Sequence, residues 1–459
     1  MPGYFETRER ALLGARYDTL YAAAAPLYRG VTVNGLRCTA ERFAETPPFA
    51  VSPSPFCVQS FLLDDPACRL GRSAWHHAGV FYVQEPSAAM PAALLDVRPG
   101  ERVLDLCAAP GGKSSQLAAT LKGEGVLVAN EYEAARAAVL RGNLERMGVR
   151  NAVVLNETSA RIAAAFPRFF DKVLVDAPCS GEGMFRKEPE ALRQHSAALV
   201  ARCAALGAQI LDDAAAVLRP GGILCYSTCT FAPEEDEGQV GAFLARHPDF
   251  ALLPIAAQAG APGERARCGA FPFAAEDTRR VYPCHGGEGH FMALLQKRGA
   301  PQGENGRQES ASKAKKARSP RGAEQALKSG TAFLREYFPG LAACSLAVRG
   351  DDVFLPAGLP LPQALRIVRD GVWVGSAEKG RFTPAHQLFM AYGAECENTE
   401  HLTPDDARCA AWLRGETIPA RMAAPGWTVV LVDGFPLGFG KQSGGVVKNH
   451  YPKGLRNLG

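Results

Sequence analysis

A chain of 459 residues is too long for one ordinary core and predicts two or three domains, and 47% apolar with 21% charged residues places it among globular proteins that fold unaided. No window approaches about 18 uncharged apolar residues, and the start, Met1 to Arg10, has no apolar h-region; a membrane span, a membrane partner and a secretory signal are therefore not expected, and a cytoplasmic location is. A formal charge of +4 is too mild to identify a nucleic-acid partner.

Residues 1 to 95 read as a small α+β region: an Ala- and Leu-rich helical start (Arg8 to Leu27), a strand candidate (Gly30 to Leu36) and a Pro-rich stretch from Pro47 to Pro55. From 96 to 298 short apolar runs alternate with Ala-rich helical segments. The runs are Arg102 to Leu106, Gly125 to Asn130, Ala152 to Leu155, Lys172 to Asp176, Gly222 to Ser227 and, late, His290 to Leu295. Such alternation predicts an α/β doubly wound sheet with ligands at the carboxyl ends of its strands. Residues 299 to 330, carrying Lys313, Lys315, Lys316, Arg318, Arg321 and Lys328, read as a disordered basic tether, either merely solvated or also touching phosphates. From 331 to 459, β-like runs (Leu365 to Trp373, Trp427 to Asp433, Gly444 to Lys448) broken by Gly and Pro predict a compact β-rich domain.

Thirteen cysteines without an export signal predict reduced thiols. No Cys-x-x-Cys pair occurs. Neither Cys225 with Cys229 nor Cys284 with His285 and His290 has a second pair at zinc-like spacing, so no metal is expected. A buried cysteine is most often an inert small hydrophobe, the reading given to Cys38, Cys57, Cys68, Cys203, Cys268, Cys344, Cys396, Cys409 and the mid-strand Cys225. His195 and His247, in polar helical stretches, read as surface residues.

The segment from Arg102 to Ser115 is a strand, a small-residue turn and a helix start, with Gly111 and Gly112 admitting a ligand against the backbone. A Walker A loop would need Gly at Cys107, and the dinucleotide pattern G-x-G-x-x-G is missing, which excludes the common NTPase and dinucleotide readings. What remains is a nucleoside without a pyrophosphate, S-adenosylmethionine (SAM), with Glu131 at the end of the second strand to accept its ribose hydroxyls. The fourth strand ends in Asp176-Ala177-Pro178-Cys179, where amino-directed methyltransferases carry an (Asn/Asp)-Pro-Pro-Tyr segment; a thiol there excludes simple N-methylation.

LDLCAAPGGK (104 to 113), NE (130 to 131), DAPCSGEGMFRK (176 to 187) and YSTCT (226 to 230) closely resemble the NOL1/NOP2/sun family of RNA cytosine-5 methyltransferases, particularly its bacterial RsmF-type (YebU-like) ribosomal RNA enzymes. The resemblance extends over the lead-in HHAGVFYVQEPSAAM (76 to 90) and the final segment 426 to 456, which looks like a PUA-related RNA-binding domain. It implies a Rossmann-like methyltransferase sheet and SAM contacts from Cys107, Ala108, Ala109, Pro110, Gly111, Gly112, Lys113, Glu131 and Asp176. It also implies a nucleophile at Cys229 and a helper at Cys179, with Asp176 and Lys113 in the catalytic set. The Asp that the family often carries after its third strand is replaced here by Thr158, leaving the adenine contact to Asn156, Glu157 or a backbone carbonyl.

Cytosine C5 is too poor a nucleophile to take a methyl group directly, so a thiolate first adds to C6. A free cysteine is only about 3% thiolate at pH 7, a handicap of roughly 2 kcal/mol that a strand-end site near Lys113 or Arg186 reduces. The expected substrate is cytosine in RNA, 16S ribosomal RNA or the 30S subunit by analogy, acted on by a monomer. Gly438 to Lys441, Lys448, His450, Tyr451, Lys453 and Arg456 interleave cations with aromatics as RNA surfaces do. The alternatives are a tRNA enzyme or a non-catalytic assembly factor; intact cysteines, Asp176 and glycines argue against the second.

Overall fold

The short apolar runs of the middle region become the strands of one sheet because both of their faces are covered. In chain order these are β1 (Arg102–Asp105), α1 (Gly112–Leu121), β2 (Val126–Asn130), α2 (Ala134–Arg146), β3 (Ala152–Leu155), α3 (Ser159–Ala165), β4 (Phe170–Asp176), α4 (Ala197–Val217), β5 (Leu218–Thr228) and β6 (His290–Lys297). The structure, a computed structural model, describes residues 2–22, 27–65, 67–256, 258–300, 321–378 and 380–457. Strands β1 to β5 run parallel in the order β3-β2-β1-β4-β5, and β6 lies antiparallel on β5. Period-two alternation splits each strand between two cores: Leu104, Val128, Val153, Val173 and Leu224 face one side, Val103, Leu127, Val154, Leu174 and Cys225 the other. At about 1.5–3 kcal/mol for each fully buried aliphatic side chain, this double burial holds the sheet flat enough to present its strand ends as one edge.

Among the described residues the sheet has ten strands in all, and one of them arrives from far down the chain. Ile367–Asp370 (β7) pairs antiparallel with β3, so the predicted run Leu365 to Trp373 is not one strand of a C-terminal sheet. It breaks at Gly371, whose φ of +66° suits glycine, and Val372–Glu378 then enters a separate four-stranded sheet with Ala347–Arg349, Asp352–Leu355 and Arg381–Pro384. The end of the stretch read as a tether is helical. Residues 321–330 open the helix Arg321–Tyr337, which buries Ala326, Phe333 and Leu334; its apolar face was masked by the surrounding Lys, Ser and Gly. The basic cluster from Lys313 to Arg318 lies outside the described residues.

The N-terminal region forms a four-stranded antiparallel sheet (Gly30–Val33, Val51–Pro53, Ser60–Leu63, Phe81–Gln84), and the C-terminal end a five-stranded one around Gly426–Val432 and Phe435–Ser443. These two share a single core: Val31, Phe43, Phe61 and Trp75 pack with Trp412, Val430, Phe435 and Tyr451. Two buried links seal it, Trp75 Nε1 to Asp433 Oδ2 at 2.7 Å and His77 Nδ1 to the Tyr451 hydroxyl at 2.7 Å. Tyr451, expected on an RNA-facing surface, is therefore a core residue, as is Phe439; Lys448, His450 and Lys453 remain exposed. Among the described residues, no helix is long and apolar enough to cross a membrane.

Candidate active site

The loop after β1 is built to receive something against its backbone. Gly111 has φ +111° and precedes α1, and a Cβ on Gly112 would meet Gln84 Oε1 at 2.5 Å and the Tyr82 ring at 3.1 Å. The N-terminal sheet thus presses on the loop, leaving no room for a side chain. Asn143 Nδ2 donates to Pro110 O at 2.9 Å and Arg136 to Ala109 O at 2.9 Å, pinning the carbonyls so that the free N–H groups of α1 face the cleft. At the end of β2, Glu131 is buried; its Oε1 accepts from Glu133 N at 2.9 Å and its Oε2 lies 3.7 Å from Arg136. Arg136 therefore ties the acid to the loop, a residue that nothing in the helical pattern of α2 singled out.

After β3 the two side chains offered for the adenine contact, Asn156 and Glu157, already have partners. The Asn156 amide donates to Glu131 O and Tyr132 O, and the Glu157 carboxylate accepts from Arg366 N at 2.8 Å and pairs with Arg161 at 2.7 Å. Thr158 caps α3 through Arg161 N at 3.3 Å. Glu157 is thereby braced by the residue that leads into β7.

The reactive groups sit where β4 and β5 end side by side, with Asp176 opposite Ser227 in the parallel register. Two residues past Ser227 and three past Asp176, the two loops bring Cys229 Sγ and Cys179 Sγ to 3.3 Å, a hydrogen-bonded thiol pair and not a disulfide. Its bond to Cys229, with burial added, pushes the Cys179 thiol well up. Asp176 Oδ2 accepts from Lys113 Nζ at 2.7 Å and Oδ1 from Ser227 Oγ at 2.7 Å. Burial alone would raise Asp176, but Lys113 outweighs it and holds the carboxyl below its usual range; Lys113 is raised in return, its burial outweighed by Asp176. Lys113 is close enough to feel the charge of Cys229. Arg186, the other candidate cation, is 3.3 Å from Glu288 instead. Cys107 lines the cleft beneath the loop, its thiol raised by burial and then by Asp105, which suits a packing residue.

Both catalytic loops are held from below by carboxylates. Glu182 accepts from Phe231 N, from Arg8 at 2.6 and 2.9 Å and from His195 Nε2 at 2.8 Å; burial alone would raise it, but His195 and Arg8 hold it down at about 2. The His195 side chain is fully buried here, which corrects its reading as a surface residue: Glu182 supplies the partner that lets an imidazole leave solvent. Glu235 accepts from Ser180 N at 2.8 Å, and Asp236 accepts from Thr228 Oγ1 at 2.6 Å while pairing with Arg280 at 2.9 Å. His247, half-exposed, bonds Asp212 at 2.8 Å. Among the cysteines read as inert, Cys38, Cys57, Cys225, Cys268, Cys396 and Cys409 are buried and Cys68 and Cys203 half-buried, but Cys344 is exposed and packs into nothing.

Comparison with known proteins matches every part of this architecture. The family described as 16S rRNA methyltransferase RsmB/F matches residues 92–296. The N-terminal domain of 16S rRNA methyltransferase RsmF matches 1–86, the RsmF rRNA methyltransferase first C-terminal domain 332–392 and the methyltransferase RsmF PUA domain 399–457. The chain is 32% identical to a protein of Klebsiella pneumoniae named ribosomal RNA small subunit methyltransferase F, over 99% of this chain and 96% of that one. It is 33% identical to a protein of the same name from Vibrio parahaemolyticus, over 95% and 93%. A crystal structure of a methyltransferase homologue from Pyrococcus horikoshii superimposes with a TM-score of 0.56 at 31% identity, covering 64% of this chain and 94% of that one. The chain belongs to the RsmB/F family of 16S rRNA methyltransferases.

Proposed function

We propose that this protein methylates carbon 5 of a cytosine in RNA, with 16S ribosomal RNA of the small subunit as the substrate, SAM as the methyl donor and Cys229 as the covalent nucleophile. The observation that carries the reading is the pair of sulfurs 3.3 Å apart at the ends of adjacent strands, beside the Lys113–Asp176 ion pair and the glycine loop. The residues fit the donor: the first turn of α1 offers backbone N–H groups that have no intrahelical partner, Glu131 supplies ribose acceptors, and the loop from Cys107 to Lys113 walls the site. When bound, SAM supplies an electrophilic methyl group.

The thiol pair divides the labour. Cys229, on the loop after β5 with Lys113 nearby, is the sulfur assigned to add to C6, and Cys179 beside it is the helper. Asp176, ionised and with lone pairs to spare, accepts from the cytosine N4 amino group and turns C6 toward Cys229. Once the C6–S bond forms, the contact that raised Cys179 is gone. Its thiol returns toward ordinary acidity, releases its proton to water and takes the proton from methylated C5, whereupon the C6–S bond breaks and Cys229 leaves as thiolate. The region 1–95 and the PUA domain, joined by a common core, are proposed to hold the RNA beside this cleft while the target base is splayed out of its helix.

Denaturing gels of the full-length protein with 16S RNA and SAM test the assignment. Cys229→Ala is expected to give no protein–RNA band and no 5-methylcytidine. Cys179→Ala is expected to accumulate the band because elimination stalls. The reverse pattern exchanges the roles; methylation of tRNA alone replaces the substrate; SAM and RNA binding without any product makes the chain an assembly factor.

A further inference from the structure

One buried polar atom at the cleft has no use in the chemistry above. In the β5–β6 ladder Phe291 pairs with Thr228, so the next residue back, His290, stands at the level of Cys229. His290 is 5% exposed, and its Nε2 has no hydrogen-bond partner among the described residues. The nearest charged atom is Asp176 Oδ1 at 4.0 Å, too far for a hydrogen bond. Its other nitrogen is spoken for: Nδ1 lies 3.3 Å from Ser87 Oγ, whose own hydrogen goes to the Glu85 carboxylate. A hydroxyl that donates to a carboxylate can only accept from Nδ1, so Nδ1 carries the proton and Nε2 presents a lone pair. Burial, and then Lys113, hold the His290 pKa down and keep the ring neutral.

The cleft wall therefore sets two acceptors 4.0 Å apart: Nε2 of His290, without a partner among the described residues, and Oδ1 of Asp176, which accepts from Ser227 Oγ and keeps a further lone pair. A buried acceptor such as His290 Nε2 costs free energy until a donor reaches it, and a group carrying two hydrogens can serve it and Asp176 together. An NH₂ nitrogen within hydrogen-bond reach of both does so; a carbonyl oxygen meets two lone pairs and is repelled. We infer that His290 is a specificity residue for the target base, its Nε2 accepting one hydrogen of the cytosine exocyclic amino group while Asp176 accepts the other, so that uracil is excluded. The inference rests on the cytosine reading above and adds to it the residue that reads the base. Sites built to pair a substrate NH discriminate strongly against analogues lacking it, because their own polar groups are then left buried and unpaired.

The test uses the full-length protein on 16S RNA transcripts, with the cytosine that the wild type modifies mapped first and then replaced by uridine in a second transcript. SAM affinity of each variant is measured alongside by calorimetry. His290→Leu is expected to lower kcat/KM on the cytosine transcript by a hundredfold or more, with SAM affinity within twofold, and to narrow the preference over uridine. His290→Gln, which restores an acceptor, is expected to recover at least tenfold of that loss. Ser87→Ala, which loosens the ring without touching the base, is expected to cost threefold to tenfold. His290→Leu within threefold of wild type, or Gln and Leu equally impaired, overturns the inference. A wild type that produces 5-methyluridine and no 5-methylcytidine overturns the cytosine reading itself, a separate and earlier failure.

Discussion

The cleft and the terminal core draw on the chain in different ways. The cleft takes most of its groups from three short segments, 107–113, 176–182 and 227–236, with Glu131 and His290 added, each placed by the end of a strand whose apolar run is contiguous in sequence. The terminal core joins Val31, Phe43 and Trp75 to Trp412, Phe435 and Tyr451, and its sealing hydrogen bond spans 358 residues. In the cleft a motif is a site; in the core no segment has meaning until its partner is known. The two regions are expected to fail differently, one in chemistry and the other in stability.

The largest expected effect lies in the core. Trp412 is fully buried, and Trp412→Ala is predicted to lower stability by about 3–5 kcal/mol through lost burial and the cavity left behind. Chemical denaturation measures it, and the molecules still folded should bind SAM normally; a loss below 1 kcal/mol would mean that the two end domains do not depend on one another. The same packing predicts that removing residues 399–457 leaves the N-terminal sheet with a bare apolar face and opens it to proteolysis. Removing everything after 298 also strips β7 from the central sheet.

Next comes a cleft residue away from the cysteines. Glu131→Ala is predicted to weaken SAM at least tenfold, since a buried ribose loses a charge-assisted pair valued at about 1.5–3 kcal/mol, while thermal stability changes little. Unchanged affinity in a calorimetric titration removes Glu131 from the cofactor site.

How much of this was legible follows the same division. The strand runs, the glycine loop and both cysteine motifs could be read because period-two burial and strand-end placement leave local patterns. The adjacency of β4 and β5, which makes a pair of Cys179 and Cys229, came with the doubly wound order. The braces could not be read. Glu234 to Glu237 is an acidic run of the kind that covers solvated faces, yet Glu235, Asp236 and Glu237 are buried against Ser180, Thr228 and Arg280. His195 gave no sign of Glu182, nor Glu182 of Arg8, because each partner comes from another part of the chain. The amphipathic helix from Arg321 was lost for a different reason: composition averaged over thirty residues blurred a boundary that falls inside them.

One buried brace is expected to show itself through pH. Burial raises the Glu235 carboxyl to about 7, its bonds from Ser180 only partly opposing, so the folded protein holds this proton more tightly than the unfolded chain. The associated stability is present in full below about 4.5 and is lost as pH rises through about 7, an effect of up to about 3 kcal/mol. Glu235→Gln should flatten that part of the stability curve in urea titrations at successive pH values. An unaltered slope would mean that Glu235 titrates as it does in solvent and is not held by the loop.

The smallest effects are expected at the surface of the PUA domain, where the cleft and the terminal core would meet the same RNA. Lys448 and Lys453 are exposed, and neither contributes to the shared core. If they lie against the backbone, each neutralises one phosphate, and its loss should lower the slope of log affinity against log salt by about 0.7 to 0.9 without altering sequence preference. Lys448→Ala and Lys453→Ala are therefore predicted to weaken RNA binding by a few-fold near 0.15 M salt and to leave SAM affinity, stability and the single-turnover rate at saturating RNA as they were. The double variant should lower the slope by the sum, because exposed phosphate contacts act independently. Binding isotherms across a salt series separate the outcomes: a slope reduced in steps places RNA across the exposed edge of the domain, and an unchanged slope would leave the domain as a partner of the N-terminal sheet alone.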